Sequence, residues 1–133
     1  MSETSPEAAM KEARFWLESA KHLLEGKSDD SERNTVTVAQ AVHSIIKAND
    51  ALTLRFLDMR ATRHDEAVKM FSTIVQLGKI PQSFSGLGTA VLRPAVEMKS
   101  KADYKGVYAS KADAERWIAR AERFLKFVES LVS

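Results

Sequence analysis

The sequence predicts an all-α, up-and-down bundle of four to five helices forming one soluble domain. Three observations predict it. Five successive stretches carry apolar residues at helical spacing. No stretch shows sustained two-residue alternation with β-branched enrichment, so no strand is expected. The links between stretches are short and polar, which favours antiparallel neighbours.

The first segment runs from about Pro6 to Leu24. Ser5 suits an N-cap, Pro6 the first helical position, and Gly26 is a stop. Ala9, Ala13, Trp16, Leu17, Ala20, Leu23 and Leu24 recur along one face. The second segment starts near Ser31 or Asn34 and reaches about Met59, with no Gly or Pro inside it. Its length marks it as the central helix. The third runs from about His64 to Leu77, with Thr62 as the expected cap and Gly78 as the stop. The fourth, about Phe84 to Ala102, is the least regular, because Gly86 and Gly88 weaken its start and Pro94 must kink or split it. The fifth is opened by Ser110, with Asp113 three residues on as in a capping box. Ala114, Trp117, Ile118, Ala121, Leu125, Val128 and Leu131 form its seam, flanked by Phe124 and Phe127. If those two phenylalanines exceed what one small core absorbs, they mark a partner interface, most simply that of a two-fold homodimer.

Residues 1–133 are read as a single domain, with residues 1–5 as a disordered N-terminus. The chain has no cysteine, which excludes disulfides, thiolate zinc sites and a cysteine nucleophile, and accords with a cytoplasmic setting. No apolar run approaches the ~20 residues of a membrane span. The start, Met1 to Ser5, is polar and acidic, unlike a signal peptide. A net charge of +2 does not announce nucleic-acid binding, so any basic surface must come from charge placement.

Several residues carry candidate chemistry. His22, His43 and His64 lie on three different segments, with no spacing that demands a cluster. No local ligand pair suggests a metal, and no pattern requires a cofactor. Gly86-Leu87-Gly88 lacks the context of a phosphate loop. Asn49 falls on the apolar stripe of the second segment, either as a buried register-fixing hydrogen bond or as the polar floor of a pocket. Basic residues gather at Arg55, Arg60, Arg63, His64 and Lys69, at Lys99, Lys101 and Lys105, and at Arg116, Arg120 and Arg123. They suit phosphate contact, with Tyr104 or Tyr108 stacking on a base, or else a normal solvated surface.

The run Ser44-Ile45-Ile46-Lys47-Ala48-Asn49-Asp50-Ala51-Leu52 resembles the second helix of the HEPN domain family, small helical domains that bind nucleotides or cleave RNA. His64-Asp65-Glu66-Ala67-Val68 is similar to that family's histidine opening the third helix. Lys99-Ser100-Lys101-Ala102-Asp103-Tyr104 is similar to its basic residue followed by Ala-Asp-Tyr. Ser110, Asp113-Ala114-Glu115, Ala121-Glu122-Arg123-Phe124 and Val128 then follow in order. The resemblance covers roughly residues 7 to 132. It implies a helical bundle, frequent homodimers, and sites for nucleotide or RNA. Ribonuclease members of the family carry an arginine and a histidine near the end of the helix before the last. Here Lys99 replaces the arginine, no histidine follows residue 64, and Tyr104 is the only ring at the right distance. The expectation is therefore a nucleotide- or RNA-binding homodimer without nuclease activity, contacting its ligand through Lys99, Lys101 and Tyr104, with Asp50 and His64 as secondary candidates. Two alternatives stand beside it. One is a divergent toxin-type, metal-independent ribonuclease using His64 or Tyr104. The other is a non-catalytic adaptor bundle for a protein partner such as a nucleotidyltransferase.

Overall fold

A computed structural model describes residues 5–102 and 109–132, with the side chains of His64 and of residues 100–102 outside the description. The expected disordered stretch at residues 1–5 falls outside it except for Ser5. The described residues form five α-helices and no strand: α1 (Pro6–Leu24), α2 (Ser31–Leu57), α3 (His64–Gln76), α4 (Arg93–Ala102) and α5 (Lys111–Val132).

Local chemistry sets the helix ends. The Ser5 side chain accepts from the Ala8 N–H at 3.0 Å, and Pro6 occupies the first turn. Asp30 does the same for α2, accepting from the Arg33 N–H at 3.0 Å. Ser110 and Asp113 form a reciprocal box: the Ser110 N–H donates to Asp113 Oδ2 and the Asp113 N–H to Ser110 Oγ, both at 3.0 Å. Gly26 and Gly78 take positive φ, at 67° and 76°, just past α1 and α3.

Four expectations are corrected. First, α2 stops at Leu57 rather than Met59, because Asp58 adopts the left-handed conformation and its N–H closes on the Leu54 carbonyl at 3.2 Å. Second, Thr62 does not cap α3; it donates its hydroxyl and N–H to Glu66, at 2.8 and 3.2 Å. Third, the fourth segment does not start at Phe84. Gln82–Phe84 is an isolated 3₁₀ turn, and Gly88–Leu92 is a wide π turn leading directly into α4. The Arg93 N–H reaches back to the Gly88 carbonyl. This widening lets Pro94, which has no N–H and would crowd the preceding turn, enter a continuous helix. Fourth, Phe124 and Phe127 are buried. They pack with Phe71 and Phe84 at ring separations of 4.9 to 6.3 Å, so they supply core and leave no strip for a partner.

The core centres on α2, where Ala41, Ile45, Ala48 and Leu52 are fully buried. Ala13 and Ala20 of α1 are equally buried, and their small side chains let the two helices pack closely. Trp16 meets His43 and Glu12 meets Lys47, so α1 and α2 run antiparallel. Arg14 pairs with Glu129 and Lys21 with Glu122, which sets α5 antiparallel to α1 on its other side. Lys99, near the end of α4, lies beside the first half of α2. Thus α2 is flanked by α1, α4 and α5, while short α3 packs Phe71 against α5.

Candidate functional site

The outward stripe of α2 carries Val36, Gln40, His43, Lys47 and Asp50, spaced at three- and four-residue intervals. Its first half forms the floor of a cleft of about 400 Å³ lined by Thr35, Val36, Ala39, Gln40 and His43, with Trp16 from α1 and Lys99 from α4. Trp16 is 37% exposed. Its ring meets that of His43 edge-on, with centroids 4.5 Å apart and an interplanar angle of 78°. That contact fixes the indole orientation while leaving surface open to the cleft. The Ala109 N–H donates to Thr35 Oγ1 at 3.1 Å, tying the start of the last helical region to the cleft rim.

The cleft therefore joins a cation, an oriented indole, an imidazole and an amide. A cation suits a phosphate oxygen, an exposed indole suits the face of a base, and an amide suits a base edge. A pocket of this size matches a small organic ligand.

Of the residues singled out from sequence, Lys99 lies in this cleft. Tyr104 and Tyr108 lie outside the described residues, as do the side chains of Lys101 and His64. Asp50 lies seven residues beyond His43, about 10 Å further along α2. There it is half-buried. Burial pushes its carboxyl up from 3.8 to about 6, against the pull of Lys47 and Arg60 and with added repulsion from Glu12. Glu12 is itself bound to Lys47 at 3.2 Å. Asn49 points into the core at 1% exposure, and neither of its amide atoms has a hydrogen-bond partner among the described residues.

Several basic groups elsewhere have intramolecular roles. Arg116 pairs with Asp113, and Arg120 lies over the Trp117 ring at 4.7 Å. Arg63 pairs with Asp65 at 3.3 Å, and Arg55 lies over Phe56 at 5.4 Å. Among the described residues no three His, Asp or Glu side chains come together to hold a metal, and no helix is long and apolar enough to cross a membrane.

Sequence reasoning took Trp16 for core and weighed His43 only as one of three histidines that no spacing brings together. Trp16 reads as core because it falls on the apolar face of α1, yet it sits at the edge of that face. The signal for His43 was its place on the outward stripe, seven residues before Asp50. The chain matches no curated protein and no solved structure. The HEPN domain model matches residues 6–131, nearly the whole of this five-helix bundle, and the chain belongs to the HEPN domain family.

Proposed function

We propose that this protein is a nucleotide- or RNA-binding HEPN module that acts as a homodimer and does not cleave RNA. Residues 1–133 form its single domain, and its setting is the cytoplasm, in keeping with a chain free of cysteine. The observation that carries the reading is the joint placement of Lys99, Trp16 and His43 around one cleft. Lys99 provides the phosphate contact and Trp16 the stacking surface, with Lys101 and Tyr104 as further contacts from the adjoining segment. Asp50 and His64 belong to the ligand only at its periphery. The non-cleaving reading rests on the sequence: the family's arginine–histidine pair is absent from its place near the end of the helix before the last, where Lys99 stands instead of the arginine, and the cleft's imidazole, His43, comes from α2 with its ring edge-on to Trp16.

The test is titration of AMP and a short single-stranded RNA at two salt concentrations, with Trp16→Ala and Lys99→Met variants alongside. Binding that weakens with salt is expected. Loss of the stacking ring corresponds to about 1–3 kcal/mol, or roughly 5- to 150-fold in affinity. No binding at low salt would refute the reading and favour the adaptor alternative. Cleavage of mixed RNA that disappears in a His43→Ala or His64→Ala variant would establish the ribonuclease instead.

A further inference from the structure

The face of α1 turned away from the core carries Phe15, Glu18, Ser19, His22 and Leu23, at i, i+3, i+4, i+7 and i+8. With Gln40 of α2 they line a second cleft of about 450 Å³, which shares the Gln40 wall with the Trp16–Lys99 cleft. The pairings of Trp16 with His43 and Glu12 with Lys47 set the register of α1 against α2. The same register puts Ser19 beside Gln40 and Leu23 beside Val36. The face thus has two apolar ends and a small polar centre. Phe15, 60% exposed, and Trp16 form one end; half-buried Leu23 and Val36, 48% exposed, form the other.

We propose that a second copy of this chain docks on this face about a two-fold axis beside Ser19, with its α1 antiparallel to the first. This rests on the homodimer in the reading above and names its surface. A two-fold reverses the face, so the aromatic end of each copy lands on the aliphatic end of the other, twice. Ser19 meets its own counterpart at the axis, where a small side chain permits close helix approach. Glu18 of each copy faces His22 of the other, so the charge pattern is complementary under the same operation. The cations nearest Glu18 on its own helix, Arg14 and Lys21, are directed to Glu129 and Glu122 of α5. An exposed aromatic and an exposed aliphatic on one face are also the composition of an interface core rather than of a solvated helix face. Because Gln40 is a wall of both clefts, the second copy also forms an outer lip of each ligand cleft.

The absence of native cysteine makes the axis directly testable. Under mild oxidation Ser19→Cys should give a covalent dimer, whereas Ser72→Cys, exposed on α3, should stay monomeric on a non-reducing gel. Light scattering should show a dimer for the native chain and about tenfold or greater weakening for Phe15→Glu. The exchanged pair Glu18→His with His22→Glu should keep the dimer, since the two-fold merely swaps donor and acceptor. Circular dichroism confirms that each variant is folded. A monomeric native chain at its highest soluble concentration would overturn the homodimer itself. A dimer that survives Phe15→Glu and gives no Ser19→Cys cross-link would overturn this surface alone, as would an RNA or foreign protein protecting the face of a monomer. Nucleotide titration reports separately on the ligand reading.

Discussion

Replacing Asp50 by Asn should stabilise the protein at neutral pH, and the size follows from the half-buried setting of the carboxyl. Desolvation raises it from 3.8 to about 6, outweighing the attraction of Lys47 and Arg60. One unit corresponds to about 1.36 kcal/mol, so the whole rise corresponds to about 3 kcal/mol. Residual solvent contact screens the group and brings the expected cost of its charge to about 1–2 kcal/mol. Because the folded value lies above the unfolded one, the native state holds the proton more tightly between about pH 4 and 6. Stability on account of this group therefore falls as pH rises through that window, and the cost is complete above it. Asn does not titrate, so the variant should unfold at higher urea than the native chain near pH 7.5. The gap should close near pH 3, where the carboxyl is protonated in the folded chain and almost wholly so in the unfolded one. Urea unfolding followed by circular dichroism at the two pH values measures this. A variant less stable than the native chain at neutral pH would refute the reasoning, because Lys47 and Arg60 would then outweigh the desolvation.

Other substitutions probe the packing and the caps. A Cβ on Gly88 would lie 2.7 Å from Phe71 Cδ1 and 3.0 Å from Cε1. The Phe71 ring is held among Phe124 and Phe127, so Gly88→Ala should cost about 1–3 kcal/mol in a thermal melt. An unchanged melt would mean that the ring swings aside. Ser110→Ala should cost about 1 kcal/mol by removing the cap of α5. The Ser110 N–H and hydroxyl hold Asp113 below the usual carboxylate range, so the gap to the native chain should narrow as pH falls through that depressed value. Asn49→Leu should leave stability unchanged or raise it by about 1 kcal/mol, since the amide is buried without a partner among the described residues. A clear loss in urea unfolding would reveal a bound water satisfying that amide.

The helices were legible because their signals are local. Ser5, Pro6, Gly26, Ser110 and Asp113 each act within one turn of themselves, and the structure uses each as a terminus or cap. The end of α2 was not legible, because Asp58 enters the left-handed region without the glycine that usually marks it. Pro94 announced a break but not its form; whether a helix kinks, splits or widens depends on whether a neighbour such as Phe71 leaves room for Gly88 to close up. Phe124 and Phe127 looked surplus only while Phe71 and Phe84, distant in sequence, were not known to meet them. The site divides the same way. Lys99 was visible in a motif, whereas Trp16 and His43 enter its cleft through the α1–α2 register, which no local spacing encodes.

That register also limits what the cleft can hold. Along the outward stripe of α2, the Lys99 end offers a cation beside two rings, while the Asp50 end offers a carboxyl whose charge is already costly. Lys47, between them, is engaged by Glu12 at 3.2 Å. An anionic ligand extending down α2 from His43 would move about 10 Å from its cation and meet like charge. On the proposed reading, the phosphate of a bound nucleotide sits at the Lys99 end, and an RNA strand bound there leaves sideways, across α4 or over the α1 face. On the α1 side it would meet Phe15, Leu23 and a second copy of the chain. On the proposed dimer, docking and strand binding compete for that exit, so a dimer disrupted by a substitution that adds no negative charge, Phe15→Ser, should bind a short single-stranded RNA no more weakly than the native chain in titration.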